Sequence, residues 1–183
     1  MAKEVCVFLA DGFEEIEGLT VVDLLRRAGV QVTTVSVTGN RMVQGAHGIA
    51  VQADTLFEEF TYEMQDMAVL PGGMPGTRHL GAHTGLRKVL EQFYDEKKYI
   101  AAICAAPSVL GEYGMLRGRK AVCYPGFEEA LTGADVLYDA VAVDAFVITS
   151  RGMGTAIPFS LKLIEILCGE AKAAEIGAGI IYE

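Results

Sequence analysis

Cys104 stands where a short apolar run, Tyr99-Ile-Ala-Ala-Ile103, gives way at once to a helix-like pattern opening at Pro107. A nucleophile at a strand-to-helix elbow occupies a tight turn that tolerates only small neighbours, and Ala102 and Ala106 stand two residues to either side. Pro107 has a preset φ suited to a first helical turn. Ala105 then leaves its N–H free at the positive end of that helix, where a thiolate or an oxyanion is favoured. The segment reads equally well as a buried cysteine in a core strand, because free cysteine is among the most buried residue types.

Two other groups could act with such a thiol. Glu17 lies in the first turns of the first helical pattern, after Glu14 and Glu15. Favourable interaction with a helix N-terminus accounts for Glu14 and Glu15. Glu17 is set between Ile16 and Gly18, where the backbone can be approached closely. A buried carboxyl there tends to hold its proton and can donate to a thiolate, or serve as general acid and base on a bound carbonyl. Gly72 and Gly73 follow an apolar run directly; they are either a simple turn or a pair of exposed N–H donors for an oxyanion.

The elements that must position these groups alternate along the chain. Glu4–Ala10 is a strand-like run, and Glu14–Ala28 has apolar residues at Ile16, Leu19, Val22, Leu24 and Leu25, a helical period that Gly29 stops. Val30–Val37 reads as a strand, and Met42–Val43 with Ile49–Val51 as a ribbon after the Gly39-Asn40 turn. Asp66–Leu70 is a short buried strand. A helix over Leu86–Lys97, the Tyr99–Ile103 strand and a helix over Pro107–Tyr113 follow. Lys120–Tyr124, Val136–Leu137, Ala140–Val143 and Phe146–Thr149 are strand candidates, and Ser150–Thr155 leads into a long helix ending near Cys168-Gly169, with a shorter helical tail. Alternating strands and helices imply one α/β domain over residues 1–183, with a mainly parallel sheet covered on both faces. Ligands of such sheets sit beyond the carboxyl ends of the strands, where the segments at Asp11–Glu17, Leu70–Gly73 and Ile103–Pro107 would meet.

Composition narrows the function classes. Of 183 residues 51% are hydrophobic and 21% charged, so disorder is excluded. The net charge of −9 argues against nucleic-acid or anionic-membrane partners. No apolar run is long enough to span a bilayer, and the N-terminus reads as a strand rather than a signal peptide. Cys6, Cys104, Cys123 and Cys168 have no CxxC spacing, which reads as reduced thiols in a cytoplasmic protein. His47, His79 and His83 are not spaced as a ligand set, so no metal or cofactor is expected.

Five stretches together resemble the ThiJ/PfpI superfamily, in its branch of the Parkinson-associated protein deglycase: Ala10–Glu17, Val21–Gly29, Val69–Gly73, Ile100–Pro107 and Thr149–Thr155. They run in the family's order and cover nearly the whole chain. The resemblance implies a flavodoxin-like three-layer sandwich, a homodimer, and Cys104 as the reactive cysteine with Glu17 as the acid at its sulfur. It assigns the Gly73 and Ala105 N–H groups, beside Gly72, to an anion pocket. Near the two-fold interface it places the first helix, so that Glu14 or Asp23 of one copy could meet Arg27 of the other. It implies cofactor-independent glyoxalase or deglycase activity on methylglyoxal, glyoxal or their adducts. Oxidative-stress sensing or chaperone-like holding with Cys104 is the alternative. The chain departs from the pattern in three places. Ala105 replaces the histidine that follows the nucleophile in protease-like members, which argues against a peptidase. Tyr124-Pro125 stands where the branch commonly has His-Pro; a phenol is a poor base at neutral pH but can orient a ligand. His47 stands near an arginine position of relatives and could supply a titratable proton or be an exposed loop residue. His79 and His83 are read as helix-surface residues.

Overall fold

The computed structural model describes residues 2–182. Strands β1 (Glu4–Leu9), β2 (Gln31–Ser36), β3 (Met42–Gln44), β4 (Ala50–Gln52), β5 (Thr55–Leu56), β6 (Met67–Leu70), β7 (Tyr99–Ile103), β8 (Lys120–Ala121), β9 (Asp135–Val136), β10 (Val141–Asp144) and β11 (Val147–Ser150) alternate with helices α1 (Glu15–Arg27), α2 (Gly76–Ala82), α3 (Thr84–Asp95), α4 (Pro107–Glu112), α5 (Ala156–Cys168) and α6 (Glu170–Gly179). Seven strands form one sheet in the order β10-β11-β7-β6-β1-β2-β5. All its pairings are parallel except β10 with β11. The run β2-β1-β6-β7-β11 is the 2-1-3-4-5 order of flavodoxin-like folds, whose crevice opens where the strand order reverses, between β1 and β6.

The layers follow from the period-two geometry of a strand. In β1, Val5, Val7 and Leu9 point to one core with Leu25 of α1 and Phe159 and Leu163 of α5. Cys6 and Phe8 of β1, with the adjacent Ala10, point to the other core, with Leu90 and Phe93 of α3 and Leu110 of α4. Both faces of the central strand are therefore dry, which explains its unbroken apolar run. Leu25 is fully buried, and truncating such a side chain to alanine costs about 2–5 kcal/mol.

Three local features differ from the sequence reading. Only Lys120 and Ala121 of the expected Lys120–Tyr124 strand pair, in a separate two-stranded sheet with β9. The rest of that run leaves the ladder: Val122 N–H donates to Thr149 Oγ1 (2.9 Å) and Tyr124 N–H to the Cys104 carbonyl (2.8 Å). Helix α2 goes unsignalled because Gly76 and Gly81 lower its propensity. Helix α3 starts two residues before Leu86, because the half-buried His83 caps it by accepting the Leu86 N–H at Nδ1 (2.9 Å); His83 is a cap, not a surface residue.

Candidate functional site

Cys104 has φ 66°, a left-handed conformation that costs energy for a side chain with a Cβ and persists where the surroundings enforce it. Its N–H donates to the Ser150 carbonyl (3.0 Å), and its own carbonyl accepts from Tyr124. Ala106 N–H turns back to the Ile103 carbonyl (3.1 Å), closing the elbow. Ala102 and Ala106 are fully buried, so larger side chains have no room there. The turn aims the thiol at two main-chain donors, the N–H groups of Ala105 and Gly73.

Helix α1 brings the carboxyl. Glu17 is 1% exposed and lies against the Cys104 side chain. Gly72 N–H donates to Glu17 Oε2 (2.9 Å). Gly72 thus holds the acid, and only Gly73 of the glycine pair offers its N–H to sulfur, which corrects the expectation that both face an anion. The glycines are required by contact. A Cβ at Gly72 would lie 2.6 Å from both Cys104 Cβ and Glu17 Oε2, and one at Gly73, where φ is 91°, would lie 2.7 Å from the Gly12 carbonyl oxygen.

The pair titrates as a unit. Burial pushes Glu17 up to about 7, against the opposing hydrogen bonds of Cys104 and Gly72. Burial, then the charge and hydrogen bond of Glu17, push Cys104 up to about 12, while the Ala105 and Gly73 N–H groups pull it down. One proton leaves near neutral pH, and the second is held between the two groups because two adjacent negative charges are strongly disfavoured. The Ala105 and Gly73 N–H groups favour charge on sulfur, so the singly ionised pair shares its remaining proton between Glu17 and Cys104. The other thiols differ: burial raises Cys6 far out of reach and pushes Cys123 up to about 11, while Cys168 is exposed.

Tyr124 is half-exposed and its ring flanks Gly152, where an added Cβ would lie 3.3 Å from Tyr124 Cδ2 and 4.0 Å from Glu17 Oε1. Gly152 belongs to the site and was not singled out in the sequence; its signal is the Ser150–Thr155 run entering α5. Asp23 and Arg27 pair with each other along α1 (2.8 Å), so each already has a partner within its own helix. His79 Nδ1 contacts the Asp11 carbonyl (2.8 Å). His47 is not a free loop residue: its ring lies 3.0 Å from Glu15 and 3.3 Å from Glu14, which raise its pKa. Glu15 is more than a helix-end charge. Burial opposes its ionisation, but the surrounding N–H groups and the His47 ring outweigh that and hold it below the usual carboxylate range. Its Oε1 accepts the His47 N–H (2.7 Å).

The model of the DJ-1/PfpI family matches residues 3–166. The chain belongs to that family. Protein DJ-1 homolog B of Arabidopsis thaliana is 39% identical over 181 residues, 98% of this chain and 41% of that protein, so the chain spans less than half the length of this relative. The solved structure of Toxoplasma gondii DJ-1 in its oxidized form superposes with a TM-score of 0.95 at 38% identity, covering 99% of each chain. More distantly, the protein named Deglycase PYRAB04690 of Pyrococcus abyssi is 30% identical over 165 residues, 89% of this chain and 98% of its own. The mainly parallel sheet with flanking helices is thus the DJ-1 fold. No helix among the described residues is long and apolar enough to cross a membrane.

Proposed function

We propose that the chain is a cysteine-dependent carbonyl-stress protein, with glyoxalase or deglycase activity on methylglyoxal or its adducts and no cofactor. The observation that carries the reading is the Cys104 side chain, held in a strained elbow against the Glu17 carboxyl, with the Ala105 and Gly73 N–H groups favouring charge on its sulfur. The name of the Pyrococcus relative supports it. The thiolate adds to the aldehyde carbon, and the new oxyanion takes the Glu17 proton to give a hemithioacetal. For methylglyoxal, the Glu17 carboxylate then removes the proton from that carbon. Reprotonation at the neighbouring carbon gives a lactoyl thioester, and water releases lactate and the thiol. Nothing is oxidised or reduced by an outside partner. For a hemiaminal or hemithioacetal adduct, the Cys104 thiolate displaces the amine or thiol, whose bond to carbon breaks as it takes the Glu17 proton, and the resulting Cys104 hemithioacetal follows the same path. Tyr124 borders this space as an orienting hydroxyl. The three imidazoles are engaged with Glu14 and Glu15, with Asp11 and with the start of α3, which disfavours a Cys–His peptidase.

The reading includes a homodimer in the cytoplasm, where four free thiols stay reduced. Ile16 and Leu19 expose apolar surface on the outer side of α1, which suits a second copy. The test is lactate formed from methylglyoxal by the intact chain and by Cys104→Ser. Turnover lost in the variant supports the enzyme. Absence of turnover in the unmodified chain, with selective peroxide oxidation of Cys104, supports instead a sensor whose sulfinate is held by Glu17 and the same N–H groups.

A further inference from the structure

Glu14, Glu15 and His47 converge on one point where α1 meets the β3–β4 ribbon. His47 Nδ1 lies 3.0 Å from Glu15 Oε2 and 3.3 Å from Glu14 Oε2, and one ligand atom from each residue falls within 4.8 Å of the others. We propose that these three side chains bind a divalent metal ion of zinc-like preference, a function separate from the thiol chemistry of Cys104.

The spacing suits such an ion. Ligands at about 2.0–2.2 Å from a tetrahedral centre stand roughly 3.3–3.5 Å apart, so the set closes on an ion with small side-chain movements. One imidazole and two carboxylates are a donor set that zinc takes readily, whereas calcium and magnesium prefer oxygen alone. Three protein ligands leave the remaining position to water.

The charges point the same way. The side chains of Glu14 and Glu15 are 14% and 4% exposed, and the His47 ring 68%. Among the described residues, His47 is the only cationic partner within ion-pair distance of either carboxylate. Within one copy, two largely buried carboxylates share an imidazole that carries one positive charge at most, which leaves room for further positive charge. A divalent ion balances both, and its binding frees Nδ1 of any proton.

The ligands are also held in advance. Glu15 Oε1 is fixed by the His47 N–H, which leaves Oε2 directed at the ring. Ala46 N–H donates to the Phe13 carbonyl (2.9 Å), clamping the His47 loop to the start of α1. Gly45 belongs to the same arrangement, because a Cβ there would run into the Glu15 carboxyl. An ion would tie the ribbon to α1 by a bond to each.

Zinc(II) titration by calorimetry and cobalt(II) absorption test this on the full chain carrying Cys104→Ser, which removes the competing pocket thiol. The expected result is one ion per chain, with weak d–d absorption and no thiolate charge-transfer band. Adding His47→Ala or Glu14→Gln weakens affinity by roughly tenfold or more, at unchanged circular dichroism, since loss of even an outer partner costs that much. Three results overturn the proposal: no binding up to millimolar zinc, equal affinity in both variants, or a cobalt spectrum showing only sulfur ligation.

Discussion

Gly72→Ala is the most informative single substitution, because it adds one methyl group between the acid and the sulfur. The new Cβ would stand 2.6 Å from Cys104 Cβ, 2.6 Å from Glu17 Oε2 and 2.9 Å from the Ile103 carbonyl oxygen. Carbon atoms settle at about 3.5–4.0 Å, so something must yield by about 1 Å. Cys104 Cβ and the Ile103 carbonyl belong to the pinned elbow, which leaves the Glu17 carboxyl to move. Overpacking of this kind costs about 1–3 kcal/mol, and the Gly72 N–H bond to Glu17 goes with it. At about 2–4 °C per kcal/mol for a domain of this size, the midpoint of thermal unfolding falls by about 4–8 °C for a loss of about 2 kcal/mol. A displacement near 1 Å at a reacting group costs about 100-fold in turnover, so lactate formation drops by that order. Calorimetric melting, the rate of alkylation by iodoacetamide and the lactate assay read the three effects. Gly154→Ala is the control, since a Cβ there meets nothing within 4 Å. Unchanged melting and unchanged thiol reactivity in Gly72→Ala would refute the contact argument.

Iodoacetamide at neutral pH should label Cys104 ahead of Cys6, Cys123 and the exposed Cys168; peptide mapping that finds Cys168 modified first removes the case for an activated sulfur. Glu17→Leu should replace the two-step titration of the pair by a single thiol ionisation below the upper step, because the charge and hydrogen bond of Glu17 that push Cys104 up are gone; the ultraviolet thiolate titration checks this, and a thiol step left at about 12 contradicts it. Asp54 should contribute stability that is lost in acid. Burial opposes its charge, but the Thr34 N–H and hydroxyl and the Arg26 guanidinium outweigh that and lower its pKa. The contribution is therefore present above the ordinary carboxylate range and disappears as pH falls through the lowered value, so urea unfolding from pH 6 down to about pH 3 should show a shallower decline for Asp54→Asn.

Much of the architecture was written in local pattern. The unbroken apolar runs of β1, β6 and β7 announce strands covered on both faces, and the small residues around Cys104 announce an elbow. The Glu17 carboxyl was legible because it follows β1 at a glycine. What local pattern hides is exchange of partners over distance. Val122 and Tyr124 look like strand residues, yet their N–H groups go to Thr149 and Cys104. Gly72 and Gly73 are adjacent and chemically identical, and only the packing of α1 sends one N–H to a carboxyl and the other to sulfur. The meeting of His47 with Glu14 and Glu15 depends on a ribbon that folds back over the start of α1. That return path is set by the Phe13 contacts to Gly45 and Ala46.

Those two neighbouring amides make the pocket a gauge of cooperative opening. The Gly72 N–H ends on α1, and the Gly73 N–H on the turn after β7. A partial opening that swings α1 off the sheet releases the first. One that separates β6 from β7 releases the second. Hydrogen exchange at two consecutive residues can therefore time the detachment of two different parts of the molecule. A thiol-reactive probe in the same sample reports whether either event alone returns Cys104 to the behaviour of an ordinary cysteine.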